Sequence, residues 1–417
     1  MSHPAATTED GAEAGRDARL PSPAAVIVGV GGLYVAQSVI GGVTFQGLPA
    51  VLRQTGASLN DIAFILLTVL PWSFKFLWAP WIERIRLPAS GGNRSRLVVG
   101  AIGAVGVASL VAAAFTGPTM LGAVTTALVI GAFASATVDI ACDGYAVESL
   151  AERHRGWGNA AQVAGAYLGS AIGGGAFLIL IDYVGWRDAT LVMAGVLAAL
   201  GLPFLLGRSP LQPHRAGADR PSLGAALKRP EVRRGIALVG LYVLGQKWAM
   251  VLISPFLVDA GLSLTTIGLF NGFMGTAFGV LAALLGGWAT RRYGAAPVMM
   301  ASLLAQVAAT AGFALAAALA WKSVYGLGAL TVLNSGVMAF GFVALYAELM
   351  GRASLDQAGV DFTLFQCGDG LVSLIGWQLV GMFGDRLGFV WCFGLAAAIG
   401  LGAAAALPRL ARPLSRT

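Results

Sequence analysis

The sequence predicts an all-α membrane protein of twelve transmembrane helices, arranged as two pseudo-symmetric six-helix bundles. Of its 417 residues, 57% are hydrophobic and only 11% are charged, whereas about 25% of the residues of a soluble protein are charged. The apolar residues fall in runs of roughly 20, which is the length of a helix that crosses a bilayer. Hydrocarbon offers no partner to an unpaired backbone amide, so we expect every span to be helical.

A repeat within the chain relates the two predicted bundles. The segment Gly-Leu-Tyr-Val-Ala-Gln at 32–37 returns as Gly-Leu-Tyr-Val-Leu-Gly-Gln at 240–246. Pro49, followed by Gly, Ser, Leu and Ile within 56–62, returns as Pro255, followed by the same four residue types within 261–267. The copies lie about 205 to 208 residues apart, which is half the chain. Duplicated apolar halves are common among membrane transporters, whose solute site lies between the halves.

Taken in order, the apolar runs predict spans at 24–48, 60–82, 97–116, 119–148, 158–181, 188–207, 235–258, 264–290, 296–319, 324–350, 359–384 and 388–408. Spans 1 to 6 form one bundle over 24–207, and spans 7 to 12 form the other over 235–408. The polar stretch 208–234 is predicted to be a cytoplasmic linker between them. Residues 1–23 lack the apolar core of a signal peptide and are predicted to be a disordered cytoplasmic tail. Residues 409–417 form a second cytoplasmic tail.

The distribution of basic residues predicts the orientation. Twenty-one of the 27 Lys and Arg residues fall in the tails, the linker or the loops on the side of the termini. The loops on the other side hold only Arg53, Arg187, Lys322 and Arg386. By the positive-inside rule both termini are therefore cytoplasmic. The same distribution accounts for the net charge of +7 without a basic stripe, so we expect no nucleic-acid partner.

The sequence offers little to an enzyme or a metal site. All three cysteines lie within predicted spans and all three histidines in the tail, loops or linker, a distribution that suits neither a disulfide framework nor a zinc site. Asp139 and Asp369 have the placement of an intramembrane aspartyl protease dyad, but Lys75 and Lys247 would oppose the shared proton of such a dyad. A sensor or receptor would usually carry an additional soluble domain. We therefore expect no enzymatic activity, no metal and no cofactor.

Ionisable residues inside spans are the strongest functional signal, because each costs at least about 2.5–3.5 kcal/mol at bilayer depth. Lys75 lies about eight residues, or roughly 12 Å, from the cytoplasmic end of span 2. Asp139 in span 4 lies at a matching depth, and Asp143 lies one turn away on the same face. We expect Lys75 to pair with Asp139, which leaves one acid free to carry a proton. The alternative is a static salt bridge that holds the first bundle together.

The second bundle has a corresponding set of charges. Lys247 lies near the midplane of span 7, and Asp369 lies about ten residues into span 11, so these two are predicted to meet. Lys75, Asp139, Asp143, Lys247 and Asp369 are thus the predicted proton-coupling and charge-pair residues.

Three segments carry a more specific signal. Residues 74–84 are Phe-Lys-Phe-Leu-Trp-Ala-Pro-Trp-Ile-Glu-Arg, residues 136–148 are Ala-Thr-Val-Asp-Ile-Ala-Cys-Asp-Gly-Tyr-Ala-Val-Glu, and residues 359–369 are Gly-Val-Asp-Phe-Thr-Leu-Phe-Gln-Cys-Gly-Asp. With six spans, a linker and six more spans, the chain resembles the major facilitator superfamily. The first two segments resemble its branch of muropeptide permeases and acetyl-CoA transporters. The third resembles the siderophore permeases of the rhizobactin and pyochelin group.

The resemblance implies a single-chain permease of the bacterial inner membrane that imports a ferric siderophore from periplasm to cytoplasm by alternating access. It also implies protons as the coupling ion, a monomer, and no ATPase subunit. A muropeptide permease and a drug:proton antiporter are the alternatives, and span 5 has no late proline–glycine signature of the kind that would favour export. The residues alone indicate only a large, partly polar organic solute that passes between two bundles.

Neutral polar residues at equivalent positions of the two halves are the predicted substrate contacts. Gln37 and Gln246 occupy matching midplane positions in spans 1 and 7, which line the cavity in the superfamily that the chain resembles. The predicted substrate-binding residues are Tyr34, Gln37, Gln162, Tyr167, Gln246, Trp248, Asn271, Asn334 and Gln366. A single buried amide is alternatively a helix–helix contact worth about 0.6 kcal/mol, and each aromatic residue is alternatively a packing residue.

The loops after spans 2 and 8 correspond as well. Residues 81–86 are Trp-Ile-Glu-Arg-Ile-Arg, and residues 287–294 are Gly-Trp-Ala-Thr-Arg-Arg-Tyr-Gly. Both resemble the loop motif of the superfamily, which forms part of a cytoplasmic latch. The predicted latch residues are Glu83, Arg84, Glu148, Arg291, Arg292, Glu348 and Asp361. The second copy lacks the acidic residue, and anchoring by positive charge alone is the alternative.

Overall fold

The computed structural model describes residues 21–48, 51–52, 68, 70–88, 91–207, 221–262, 266–267 and 269–411. The side chains of residues 46, 251, 254, 258, 271, 272, 373, 374 and 376–386 lie outside the described part. All regular secondary structure within the described ranges is helical, which confirms the predicted fold class.

The helices of the first half are α1 (Pro23–Gly42), α2 (Leu70–Phe74), α3 (Ala79–Arg86), α4 (Ser95–Thr116), α5 (Leu121–Ser149), α6 (Arg155–Ser170) and α7 (Phe177–Leu206). Those of the second half are α8 (Leu223–Lys228), α9 (Pro230–Asp259), α10 (Gly275–Tyr293), α11 (Ala295–Ala318), α12 (Val324–Arg352) and α13 (Ala358–Leu410). Wider π-helical turns occur at Val43–Gly47, Ala171–Ala176 and Leu269–Met274, and tighter 3-10 turns at Lys75–Leu77 and Glu152–His154. The predicted linker therefore contains a short helix, α8, and the first turn of α9.

Two of the long helices, α7 and α13, are each interrupted by a turn at the boundary between two predicted spans. Gly185 in α7 and Gly388 in α13 have positive φ angles of 78° and 72°, a backbone conformation that favours glycine. These breaks separate span 5 from span 6 and span 11 from span 12. Eight helical segments of the described chain are long and apolar enough to cross a membrane. The predicted spans 60–82 and 264–290 include residues outside the described part, and several side chains of span 359–384 lie outside it.

The turns repeat at one fixed separation. Gly91, Gly117 and Gly185 have positive φ, and 203 residues after each of them stand Gly294, Ala320 and Gly388, which also have positive φ. Spans 3 to 6 therefore correspond to spans 9 to 12 position by position. The longer offset of about 205 to 208 applies only to the first two spans of each half.

Span 2 is not one continuous helix. The 3-10 turn Lys75–Leu77 separates α2 from α3, and Pro80 explains the break. Proline has no N–H to donate, and its ring clashes with the carbonyl four residues earlier. Lys75 therefore lies in the 3-10 turn and not in a regular α-helix. The helix that follows extends to Arg86, beyond the predicted end of the span at 82.

The two halves close against each other at one end of the molecule. We call this end the basic face; it holds Arg86, Glu148, Arg229 and Asp361. One apolar cluster here contains Tyr145, Ala146, Val147 and Leu150 of the first half together with Leu345, Leu349, Met350 and Phe362 of the second. The sequence predicts this face to be cytoplasmic.

Candidate functional site

Lys75 lies at the boundary between the two halves. Its ammonium contacts Asp139 of α5 and Gln366 of α13, and it lies 5.7 Å from the ring centre of Trp72. Lys75 is 3% exposed and Asp139 is 4% exposed. The structure thus brings together the pair predicted from matching depth. The salt bridge itself joins two residues of the first half, and Gln366 adds a contact from the second half.

Asp143, one turn from Asp139, has a different set of neighbours. Tyr34 donates a hydrogen bond to its Oδ1 atom at 2.7 Å, and Gln162 Nε2 lies at a long 3.5 Å from the same atom. Among the described residues its fully buried Oδ2 atom has no hydrogen-bond partner. Buried polar atoms are nearly always satisfied, so this oxygen is a position where a proton or a solute donor can be accepted.

The second charge pair lies on the other side of the boundary. Lys247 Nζ is 3.4 Å from Asp369 Oδ1, and Tyr346 donates to Asp369 Oδ2 at 3.1 Å. The side chains of Lys247 and Asp369 remain 17% and 14% exposed, so this pair is more accessible than Lys75–Asp139. Lys247 also lies 5.2 Å from the ring centre of Phe342. Tyr346 was not among the predicted site residues.

Helix α13 connects the two pairs. Gln366 contacts Lys75, and Asp369 contacts Lys247. These two residues are three positions apart, which places them on one face of the helix. A displacement of α13 therefore acts on both pairs at once.

Several predicted substrate contacts lie elsewhere. Trp248 donates to the Cys392 carbonyl at 3.1 Å and packs inside the second bundle, as the packing alternative requires. Asn334 accepts a hydrogen bond from Gln306 at 2.6 Å, also within that bundle. These two positions correct the prediction that their side chains face the space between the halves.

The remaining predicted substrate contacts lie in several different surroundings. Tyr167 of α6 donates to the carbonyl of Ser335 at 3.4 Å and so reaches across to the second half. Gln37 lines a crevice whose described lining residues all belong to the first half. Gln246 is 1% exposed, and within the described part of the chain neither of its amide atoms has a partner. Asn271 has a side chain outside the described residues.

The latch prediction needs one correction: the buried arginine of the basic face is Arg86, whereas Arg84 is exposed. Arg86 donates to Glu83 at 2.7 and 3.0 Å and to Glu148 at 2.5 and 2.8 Å. Glu83 in turn accepts the backbone N–H of Gly359 at 3.2 Å, which joins the halves. Burial by itself would lower the pKa of Arg86, but the carboxylates of Glu148 and Glu83 outweigh burial and raise it.

Arg84 points in another direction and contacts the linker, donating to the Pro221 carbonyl at 2.8 and 3.1 Å. The signal that distinguishes the two arginines is spacing. Residues three apart on a helix face each other, as Glu83 and Arg86 do, whereas adjacent residues do not.

The second half contributes a separate polar cluster at the basic face. Asp361 pairs with Arg229 and accepts the Ser354 N–H and the Gln357 amide, each at 2.8 Å. Glu348 pairs at 2.8 Å with Arg352 of its own helix, so this pair does not cross between the halves.

The arginines of the second loop motif take no part in the described ion pairs of this cluster. Arg291 and Arg292 have exposed side chains, and none of the ion pairs between described residues includes them. Nor do three His, Cys, Asp or Glu side chains come together as a metal site in the described part of the chain.

Two repeated helical halves with ion pairs along their boundary are the organisation of a class of membrane transporters. The chain belongs to the Major Facilitator Superfamily, whose family model matches residues 30–365.

Relatives and solved structures agree with this assignment. The anhydromuropeptide permease of Escherichia coli K12 is 27% identical over 362 residues, which cover 84% of this chain and 73% of that protein. An uncharacterized protein of Haemophilus influenzae is 27% identical over 279 residues, covering 64% of this chain and 65% of that protein.

Among crystal structures, the human organic anion transporter MFSD10 (TETRAN) superposes with a TM-score of 0.70 at 16% identity, covering 94% of this chain and 99% of that one. A bacterial homologue of the iron transporter ferroportin in an outward-facing state gives 0.68 at 17% identity, covering 93% and 98%. At these identities the structures establish the fold and nothing finer.

Proposed function

We propose that this protein is a permease for anhydromuropeptides or closely similar sugar–peptides. The observation that carries this proposal is the 27% identity to the Escherichia coli anhydromuropeptide permease over 84% of the chain. The segments 74–84 and 136–148, whose resemblance points to the same branch, supply Lys75, Asp139 and Asp143 of the site.

The chemistry of the site suits such a solute. A sugar–peptide carries carboxylates on its peptide and neutral hydroxyl and amide groups on its sugar. Lys75 and Lys247 are two cations held near the boundary of the halves, each beside an aspartate. A solute carboxylate that contacts either lysine competes with that aspartate.

Proton coupling follows from this competition. An aspartate that loses its lysine in a low-dielectric site is favoured in its neutral form. Binding of an anionic solute and transfer of a proton are then linked, and release of both restores the ion pairs. The protein accordingly works as a proton-coupled importer. The family resemblance adds that it acts as a monomer without an ATPase subunit. It lies in the bacterial inner membrane with both termini in the cytoplasm.

A ferric siderophore, the solute implied by the segment 359–369, is less well supported. That reading depends on one segment, although Gln366 and Asp369 of this segment do contact the two lysines. The similarity to a ferroportin homologue is a similarity of fold at 17% identity and does not specify a solute.

The test compares the two solutes in one system. The full-length protein is expressed in Escherichia coli lacking its own anhydromuropeptide permease, and uptake of radiolabelled anhydromuropeptide is measured beside uptake of ferric pyochelin. We expect the muropeptide to accumulate, and we expect Lys75→Ala to reduce accumulation to background. Lys322→Ala, an exposed loop lysine, serves as the control and should behave as wild type.

Accumulation of ferric pyochelin without the muropeptide would replace this proposal with the siderophore reading. Accumulation of neither solute, with the protein present in the membrane, would overturn both.

A further inference from the structure

A crevice is lined by residues of the first half, and none of the described ion-pair residues belongs to its lining. It lies between α4 and α7, is backed by α1 and α5, and has a cavity volume of about 560 Å³. Its mouth is formed by small or apolar side chains: Gly100, Gly103, Ala104, Ala198, Gly201 and Leu202. A Cβ atom built on Gly103 or Gly201 would meet no heavy atom within 4 Å, so the walls leave room for a ligand.

Two buried polar side chains face this crevice without a partner. Gln37 and Ser135 line it and are only 6% and 4% exposed. Within the described part of the chain, Gln37 Nε2 and Ser135 Oγ make no hydrogen bond. A buried unsatisfied donor costs about 1–3 kcal/mol. Gln37 lies roughly 20 Å along α1 from its start, which is near the middle of the bilayer.

The corresponding position of the second half carries a larger side chain. At the separation of 203 residues that relates the turns, Gln306 corresponds to Gly103. Gln306 is 3% exposed and donates to Asn334 at 2.6 Å. An amide of the protein thus occupies, in the second half, the position that is left open in the first. The glycine at 103 therefore leaves room in the first half where the second half has a buried amide.

We propose that this crevice binds an uncharged, membrane-soluble molecule with an apolar body and one hydrogen-bond-accepting carbonyl oxygen. Gln37 Nε2 and Ser135 Oγ are the donors to that oxygen. Among the described residues no charged side chain lines the crevice, and a charged ligand would be costly at this depth. A lipid acyl chain would fit the walls but leave both donors unsatisfied. The volume lies within the range of ordinary small-molecule pockets.

The position of the crevice gives its ligand access to the transport machinery. Ser135 precedes Asp139 by one turn of α5, and Tyr34 precedes Gln37 by one turn of α1. Residues three or four apart share a helix face, so the crevice lies one turn along the same two helices from the ion-pair cluster. A bound ligand braces α1, α4, α5 and α7 together and so opposes their relative movement.

Benzophenone is a suitable probe, because it has an apolar body and a single carbonyl and labels adjacent C–H groups when irradiated. The full-length protein is reconstituted in phosphatidylethanolamine–phosphatidylglycerol nanodiscs, and adducts are mapped by mass spectrometry. Because the ketone oxygen is the reactive atom and is held by Gln37 and Ser135, we expect adducts on the lining residues next to these two donors, within 33–40 and 134–138. Gln37→Leu should reduce labelling about fivefold, the effect of one neutral hydrogen bond, and Gly103→Gln should abolish it. Gly195→Gln is the control, since Gly195 lies on α7 with open space around it but outside the crevice, and it should label as wild type.

A competition experiment distinguishes a ligand with a carbonyl group from a plain hydrocarbon. Diphenylmethane has the same two rings without the carbonyl, and we expect it to compete with benzophenone at least fivefold less well than unlabelled ketone. If Gly103→Gln does not fold, Gly201→Leu closes the same crevice from α7. Labelling that survives a folded crevice-closing variant would overturn the proposal, and so would equal competition by diphenylmethane, which would show a slot for hydrocarbon only. The readout is binding, so neither result depends on the transported solute.

Discussion

Replacing Arg86 by glutamine tests whether the buried ion network stabilises the closed basic face. Arg86 and Glu83 are both fully buried, and the guanidinium makes four contacts of 2.5–3.0 Å to Glu83 and Glu148. The glutamine variant leaves two carboxylates buried without their cation. Because the pKa of Arg86 is raised by these carboxylates beyond the opposing effect of burial, the wild-type network keeps its cation at every ordinary pH.

The expected cost is about 3–5 kcal/mol, the usual loss when one partner of a buried pair is removed. For a chain of 417 residues, the unfolding entropy per residue converts this loss to a fall in melting temperature of about 3–6 °C. The melting temperature is measured on detergent-purified protein by the fluorescence of its 10 tryptophans. Hydrogen exchange at the amide of Gly359, which donates to Glu83, should accelerate in the same variant.

Arg84→Gln is the matched control, two residues away on the same helix. Its side chain is exposed and contacts only a backbone carbonyl of the linker among the contacts given above, so we expect a shift below about 1 °C. The double variant Arg86→Gln/Glu148→Gln should recover part of the loss, because one stranded carboxylate is neutralised. If Arg86→Gln melts at the same temperature as Arg84→Gln, the network does not stabilise this face and the reasoning is wrong.

Three further predictions concern coupling and packing. Asp139→Asn should reduce solute uptake to background while an immunoblot shows wild-type protein levels; wild-type uptake would limit Asp139 to packing. A protonophore should collapse accumulation in cells carrying the wild-type protein, and accumulation that is indifferent to it would indicate facilitated diffusion. Gly173→Leu should prevent recovery of folded protein by size-exclusion chromatography, since a Cβ at this position would lie 2.1 Å from the Val39 carbonyl oxygen and overpacking alone costs about 1–3 kcal/mol. Gly195→Leu, which adds a side chain in open space, should elute as wild type, and equal loss in both variants would contradict the packing argument.

The ion pairs were predictable because charge inside a bilayer needs a partner. Lys75 and Asp139 lie at one depth on neighbouring spans, as do Lys247 and Asp369, and in each case few other charges are within reach. Depth can be counted along a helix at a fixed rise per residue. The structure brings both predicted pairs together, while their part in transport remains a prediction.

Predictions that depended on the rotation of a helix about its axis were less successful. Arg84 and Arg86 differ by two positions and point to different surroundings. Trp248 and Asn334 are polar-tipped residues at cavity depth, yet both pack inside the second bundle. Depth in the membrane is read from position in the span, but direction depends on how each helix packs against its neighbours.

The sequence by itself determined the helical membrane fold, the duplication of its halves and the depth of its charges, because composition, segment length and the cost of charge in lipid act on each span separately. Only the tertiary structure decided that Gln366 joins Lys75 to the other half, that Arg86 closes the basic face, and that Gly103 lines a crevice. These features depend on which side chains of different helices meet. Which side chains meet is set by the close packing of all the helices together, so the sequence of a single span does not specify these contacts.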